Sequence, residues 1–174
     1  MDHYHAGILV GLAAGIIAGL IFVAFLFKKK VLDMHFDERQ ERARGKAFQY
    51  GFFTLMIAVY AYGTSEVIFG RWCDVLTGVT ICVALALCVF AITCILKDAY
   101  LSLREKPRVV MTMFALLTLV NLGFGVMYAY SGDLIEDGVL TFRAVNPIIG
   151  FATLVILIVY IVNHLLRSRE EEAE

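Results

Sequence analysis

The sequence predicts an all-α membrane protein: one integral domain over residues 1–174, built as a bundle of five transmembrane helices. Three observations predict it. The 174 residues are 60% hydrophobic with a mean hydropathy of +0.79, far too apolar for an ordinary soluble domain. The apolar residues fall into runs long enough to span a hydrocarbon core of about 30 Å. The cations are segregated: seven Lys and Arg lie in residues 28–46, four in 97–108 and two in the tail, against one each, Arg71 and Arg143, in the opposite loops. The positive-inside rule then places the amino terminus outside and the carboxyl terminus in the cytoplasm. The net charge of -1 hides this distribution and carries no suggestion of a nucleic-acid partner.

The first span, 7–27, is uncharged throughout and is closed by Lys28, Lys29 and Lys30. One ammonium at a bilayer centre costs about 2.5–3.5 kcal/mol, so the span must stop there. No basic segment precedes it and it is longer than a signal h-region, so it reads as a retained helix. Gly7, Gly11, Gly15 and Gly19 recur every four residues and form a smooth strip for close helix packing. Its partner is another helix of this chain, a second copy in a homodimer, or, least favoured, a pore.

Residues 28–46 form a charged island before the second span. Asp33 is placed to cap a helix over 33–46 that continues into that span. Glu38 and Arg42 stand in the favourable i,i+4 order, worth only ~0.2–0.5 kcal/mol. At helical spacing Asp33, Asp37 and Glu41 share one stripe, and Glu38, Arg42 and Lys46 share another. The stripes fit a solvated juxtamembrane helix or a docking surface for a soluble protein. A metal site with His35 fits poorly, because His35 lies off the acidic stripe.

The second span covers 47–67 and ends with Tyr60 and Tyr62 in aromatic-belt positions. A short loop with Trp72 turns the chain into the third span, 75–96. After the cationic connection 97–108, Pro107 suits the first turn of the fourth span, 109–130, because its missing N–H is needed least there. The fifth span covers 147–166. Between these last two, Asp137-Gly138 is flanked by Leu134-Ile135 and Val139-Leu140, the pattern of a hairpin with a type I′ turn, the alternative being an irregular interfacial loop. Val59-Tyr60-Ala61-Tyr62 reappears as Met127-Tyr128-Ala129-Tyr130, which suggests a duplicated helix pair or simply two belts.

Cys82, Cys88 and Cys94 lie within one apolar run and read as small hydrophobes, whereas Cys73, in a loop, reads as a free thiol open to reagents on the outside, the alternative being an intermolecular bridge. Polar residues at membrane depth are functional candidates by default. Glu66 and Asn121 are the two that could form an intramembrane polar site; otherwise Glu66 reaches solvent or Arg71, and Asn121 makes an interhelical hydrogen bond. Asn163 and His164 lie near the inner end of the fifth span, where His164 would favour the negative end of its helix. No zincin, nucleophile-elbow, phosphate-loop or paired-cysteine motif occurs, so no catalytic residue, metal or cofactor is expected.

Over Asp37 to Phe48, DERQERARGKAF, the chain resembles small polytopic membrane proteins of uncharacterised bacterial families, which carry a similar D-E-R-Q and R-G-K-A stretch just before a membrane helix. The resemblance covers about a dozen residues, together with size and helix count. It implies a bacterial cytoplasmic membrane and brings no activity or site residues with it. The expectation is a non-enzymatic membrane component that packs by its helices in the bilayer and meets a protein partner through Asp33, Asp37, Glu38, Glu41, Arg42 and Lys46. The alternative is a small-solute transporter or channel subunit using Glu66 and Asn121.

Overall fold

The computed structural model describes residues 13–15, 17–21, 24, 25, 28, 36–102 and 107–171. Those between 13 and 28 are helical, in line with a first span there. Then follow α1 (Glu38–Phe69), α2 (Val75–Leu96), α3 (Pro107–Ser131), a two-stranded hairpin of β1 (Ile135–Glu136) and β2 (Val139–Leu140), a 3-10 turn at Phe142–Ala144, and α4 (Val145–Glu171). Among the described residues four helices are long and apolar enough to cross a membrane. Their surfaces support that reading: no residue in the apolar window of α1 is buried, and Tyr60, Val67, Phe69 and Tyr130 stand exposed. Exposed apolar surface on helices of this length is compatible with a multi-pass membrane protein.

The expected spans 47–67, 75–96, 109–130 and 147–166 lie within these four helices, whereas most of 7–27 lies outside the described residues. The 75–96 span coincides with α2, and Pro107 opens α3 as its φ predicts. Residues 38–46 of the charged island and the second span join as one helix of 32 residues. Its start differs from expectation: Asp37, not Asp33, is the N-cap. Its carboxylate accepts the Gln40 N–H at 2.6 Å, while Gln40 Oε1 accepts the Asp37 N–H at 3.3 Å, a reciprocal capping box. Asp33 and His35 lie outside the described residues.

Principal contacts run from α1 to α2, from α2 to α4 and from α4 to α3. Small residues set these approaches, because two backbones close only where side chains are short. Ala47 and Gly51 of α1 are buried, and a Cβ on Gly51 would lie 3.2 Å from the Ala86 carbonyl oxygen. Gly78, Cys82 and Ala86 recur every four residues along α2 and are all buried, and the Tyr62 ring lies directly over Gly78. Between α3 and α4 the same role falls to Gly125, beneath Pro147, and to Gly150, against Leu122. Thr118 donates to Thr153 across that seam at 2.8 Å, both hydroxyls buried.

At one end the two helix pairs are tied by main-chain bonds. The hairpin forms as its Asp-Gly signal predicts, pairing Ile135 with Leu140 and Glu136 with Val139. Asp137 (φ 50°) and Gly138 (φ 79°) are both left-handed, as a type I′ turn requires. Residues 72–74 then lie beside β2: Leu140 N–H donates to the Trp72 carbonyl at 2.9 Å, and Asp74 N–H to the Leu140 carbonyl at 2.8 Å. Thr77 Oγ1 donates to the Thr141 carbonyl, and Asp74 Oδ2 accepts the Phe142 N–H. Two strands alone are marginal, and the 72–74 segment supplies the support they need.

Candidate functional site

The charged end of the molecule is where polar side chains converge. The chain leaves α2 through a turn in which Ala99 N–H donates to the Cys94 carbonyl at 2.8 Å and Asp98 takes φ 53°, a left-handed value that Asp tolerates better than most residues. That turn points carbonyl oxygens at α1, and three α1 side chains collect them. Gln40 Nε2 donates to the Asp98 carbonyl at 2.7 Å and to the Leu101 carbonyl at 3.3 Å. Arg44 donates to the Ala99 carbonyl at 3.1 Å, its guanidinium lying 4.1 Å from the centre of the Phe36 ring and 5.6 Å from that of Phe90. Arg39 reaches the Lys97 carbonyl and the Asp98 carboxylate, both at 3.4 Å. Gln40 is buried, so losing its amide would strand two carbonyls at a cost of about 1–3 kcal/mol. Arg39, Gln40 and Arg44 thus latch α1 to the turn after α2.

Sequence reasoning singled out the other side of this helix. Asp37, Glu38, Glu41, Arg42 and Lys46 are all exposed. Asp37 is occupied as the cap and is not part of a helical acidic stripe, because the helix begins only after it. The expected Glu38–Arg42 pair is not made: among the described residues the ion pairs are Arg39–Asp98, Arg71–Asp74 and Arg143–Asp133. An exposed i,i+4 pair gains too little to hold two long side chains in one geometry. The side chains of Glu38, Glu41, Arg42 and Lys46 make no hydrogen bond or ion pair among the described residues. Arg42 and Lys46 instead line a shallow pocket of about 260 Å³ together with Arg39, Ala43 and Lys97. The latch itself had one legible signal, a Gln three residues after an Asp, which marks a capping box.

The intramembrane candidates do not meet. Glu66, half-buried on α1, accepts a hydrogen bond from Tyr62 at 2.9 Å, while Arg71, its expected partner, pairs with Asp74. Asn121 is buried but bonds its own helix, donating to the Leu117 carbonyl at 2.8 Å, where an interhelical bond was expected. The apolar groove of about 580 Å³ among α2, α3 and α4, lined by residues such as Val83, Leu87, Phe114, Leu117 and Ile156, is bordered by neither. Asn163 donates to the Ile95 carbonyl, tying α4 to the end of α2. His164 stacks on Tyr160, about two turns before α4 ends, so it does not serve the last turn as expected.

Two further expectations change. Nothing lies within 4 Å of a Cβ placed on Gly15 or Gly19, so these two glycines pack against no described residue of this chain; Gly7 and Gly11 lie outside the described residues. Cys73 is wholly buried rather than open in its loop, because its main chain bridges to Leu140 and the hairpin closes over it. Burial pushes its thiol pKa up, against a smaller opposing effect of the Tyr62 hydroxyl. Tyr62 and Tyr130, equivalent under the suggested duplication, also differ: one packs on Gly78 and the other is 90% exposed. Comparison with protein-family models, with curated proteins and with solved structures gives no match to this chain.

Proposed function

We propose that the protein is a non-enzymatic component of the bacterial cytoplasmic membrane that acts through contacts, its main contact surface being the exposed face of α1 ahead of the bilayer. One observation carries this reading. Within a single stretch of helix, Arg39, Gln40 and Arg44 are committed to the turn at 97–102, while Glu38, Glu41, Arg42 and Lys46 stand exposed and engage nothing described in the chain. Solubility requires charge but not a rigidly held pattern of it. Complementary charge on a fixed scaffold is what steers a partner and sets its register. The cation asymmetry of the sequence assigns this face to the cytoplasm, and with it a soluble protein partner.

Replacing Glu38 and Glu41 together by Lys tests the reading. Asp37 is left alone, because removing the cap would itself cost about 1 kcal/mol of helix stability. The double variant should insert and accumulate normally and lose the proteins that co-purify with the native chain from its own membrane. Unchanged co-purification overturns the proposal. The transporter alternative has less support, since Glu66 and Asn121 each bond within their own helix. Loss of solute uptake in Glu66→Gln, with co-purification intact in the double variant, would put that alternative in its place.

A further inference from the structure

The exposed face of α1 is not uniform, and its cationic part has the form of a lipid site. At 3.6 residues per turn Arg39, Arg42, Ala43 and Lys46 share one side of the helix, whereas Glu41 turns to another and Glu38, one turn before Arg42, stands outside the pocket. Lys97, arriving from the end of α2, closes the pocket that the first four line. Asp98 is the acid bound at its edge, where it pairs with Arg39. Arg42, Lys46 and Lys97 have no acid partner among the described residues.

The level of the pocket along the helices matters as much as its charge. α1 and α2 are consecutive helices joined by a short loop and packed on each other, so the start of one lies beside the end of the other. No charged residue follows Lys46 until Glu66, and none precedes Lys97 back to Asp74. Lys46 and Lys97 are therefore the last charges on both helices before the apolar segments begin, at the same height. Below the pocket on the same side of α1 come Tyr50, Phe53 and Ile57, four, seven and eleven residues after Lys46. All three are exposed, at 53%, 62% and 69%. A cationic cradle directly above an exposed aromatic and aliphatic strip matches a molecule with an anionic head and a hydrocarbon tail.

We propose that Arg39, Arg42, Lys46 and Lys97 bind the phosphate headgroup of an anionic membrane lipid, whose acyl chain lies along Tyr50, Phe53 and Ile57. Basic pockets between helices at the cytoplasmic boundary suit such headgroups, because phosphate oxygens accept from several Lys and Arg donors at once. The inference rests on the reading of 38–46 as a contact surface at the bilayer edge, and it divides that surface: the acids remain for a protein and the cations take a lipid.

The experiment uses purified full-length protein, reconstituted in nanodiscs of phosphatidylcholine with a minor share of phosphatidylglycerol. Phosphatidylglycerol retained after detergent extraction is counted by native mass spectrometry. Lys46→Gln and Lys97→Gln should each retain about fivefold less than the native chain, the factor expected for one cation near an anionic surface. Arg71→Gln, a cation at the other end, and Glu38→Lys with Glu41→Lys should retain as much as the native chain or more. Because the Lys46 side chain makes no bond among the described residues, an unchanged circular dichroism spectrum and melting curve accompany its loss of lipid. Excess inorganic phosphate should leave retention unchanged; displacement by phosphate would make this a site for a soluble anion and overturn the lipid assignment. Equal retention in Lys46→Gln and Lys97→Gln, or an equal loss in Arg71→Gln, would overturn the site. The acid double variant separates the two readings, since it is expected to lose the protein partner while keeping the lipid.

Discussion

The two ends of the bundle are held together by different chemistry. At the hairpin end, main-chain groups of Trp72 and Asp74 meet those of Leu140, with the Thr77 and Asp74 side chains adding bonds to Thr141 and Phe142, so the join is chiefly a short piece of sheet. At the charged end, three side chains of α1 reach main-chain carbonyls of the turn at 97–101. A backbone join depends little on residue identity along its length, whereas a side-chain latch fails with a single substitution. The same α1 turn that carries the latch also carries the exposed charges. That end is therefore where contact at the exposed charges would act on how α1 sits on α2.

The largest effect should come from the seam that serves both ends. Gly78→Leu would drive a side chain into the Tyr62 ring, which a bare Cβ would already approach to 2.3 Å. Overpacking of this kind costs ~1–3 kcal/mol, and more where the obstacle is a packed ring. The melting temperature in detergent should fall well below that of a control such as Gly63→Ala, which meets open space. An unchanged melting temperature would mean that the α1–α2 seam is not set by small residues.

Next in size, Gln40→Leu removes the side-chain half of the capping box, leaving the bond from the residue-40 N–H to Asp37, and removes the donor to the Asp98 and Leu101 carbonyls. Two part-buried acceptors lose their partner, and stability should fall by about 1–3 kcal/mol. Hydrogen exchange should rise around residues 38–46 and 97–102, while the hairpin stays protected. Exchange rising equally at the hairpin would show that the two ends are not independent joins.

A smaller effect concerns Cys73, where the hairpin end makes a chemical statement. The thiol is buried and its pKa is raised, so the folded chain holds this proton more tightly than the unfolded chain does. Its contribution to stability is complete below the ordinary thiol range and declines as pH rises through the folded value. An impermeant maleimide should label Cys73 slowly at neutral pH in the folded protein and rapidly after denaturation. Fast labelling of the folded chain would mean that the hairpin does not close over the loop.

The contrast between the ends also explains what was legible in the sequence. The hairpin was written locally: Asp137-Gly138 supplies two left-handed residues in succession, and hydrophobic neighbours flank it. The spans were written in composition, and Pro107 marked a helix start. Of the latch only the Asp37–Gln40 capping box was legible, because the Gln40 amide and Arg44 reach carbonyl oxygens 55 to 61 residues away, and a main-chain carbonyl has no sequence signature. The most conspicuous charge pattern lies on other residues, the ones the fold leaves exposed. Cys73 was misplaced for a related reason: a loop position is local information, but its burial comes from a hairpin more than sixty residues later. The seam glycines had a signal in the Gly78, Cys82 and Ala86 spacing, overshadowed by the longer glycine strip of the first span.

The central claim is that one face of α1 holds the fold and another is left for contact, and a two-variant comparison tests it most directly. Melting temperature in detergent and recovery of co-purifying proteins are measured side by side for Gln40→Leu and for Glu38→Lys with Glu41→Lys. The account predicts a melting temperature near that of the native chain and loss of the partner for the acid double variant, and a lowered melting temperature for Gln40→Leu. An acid double variant that melts as early as Gln40→Leu, or one that keeps its partner in full, would contradict it.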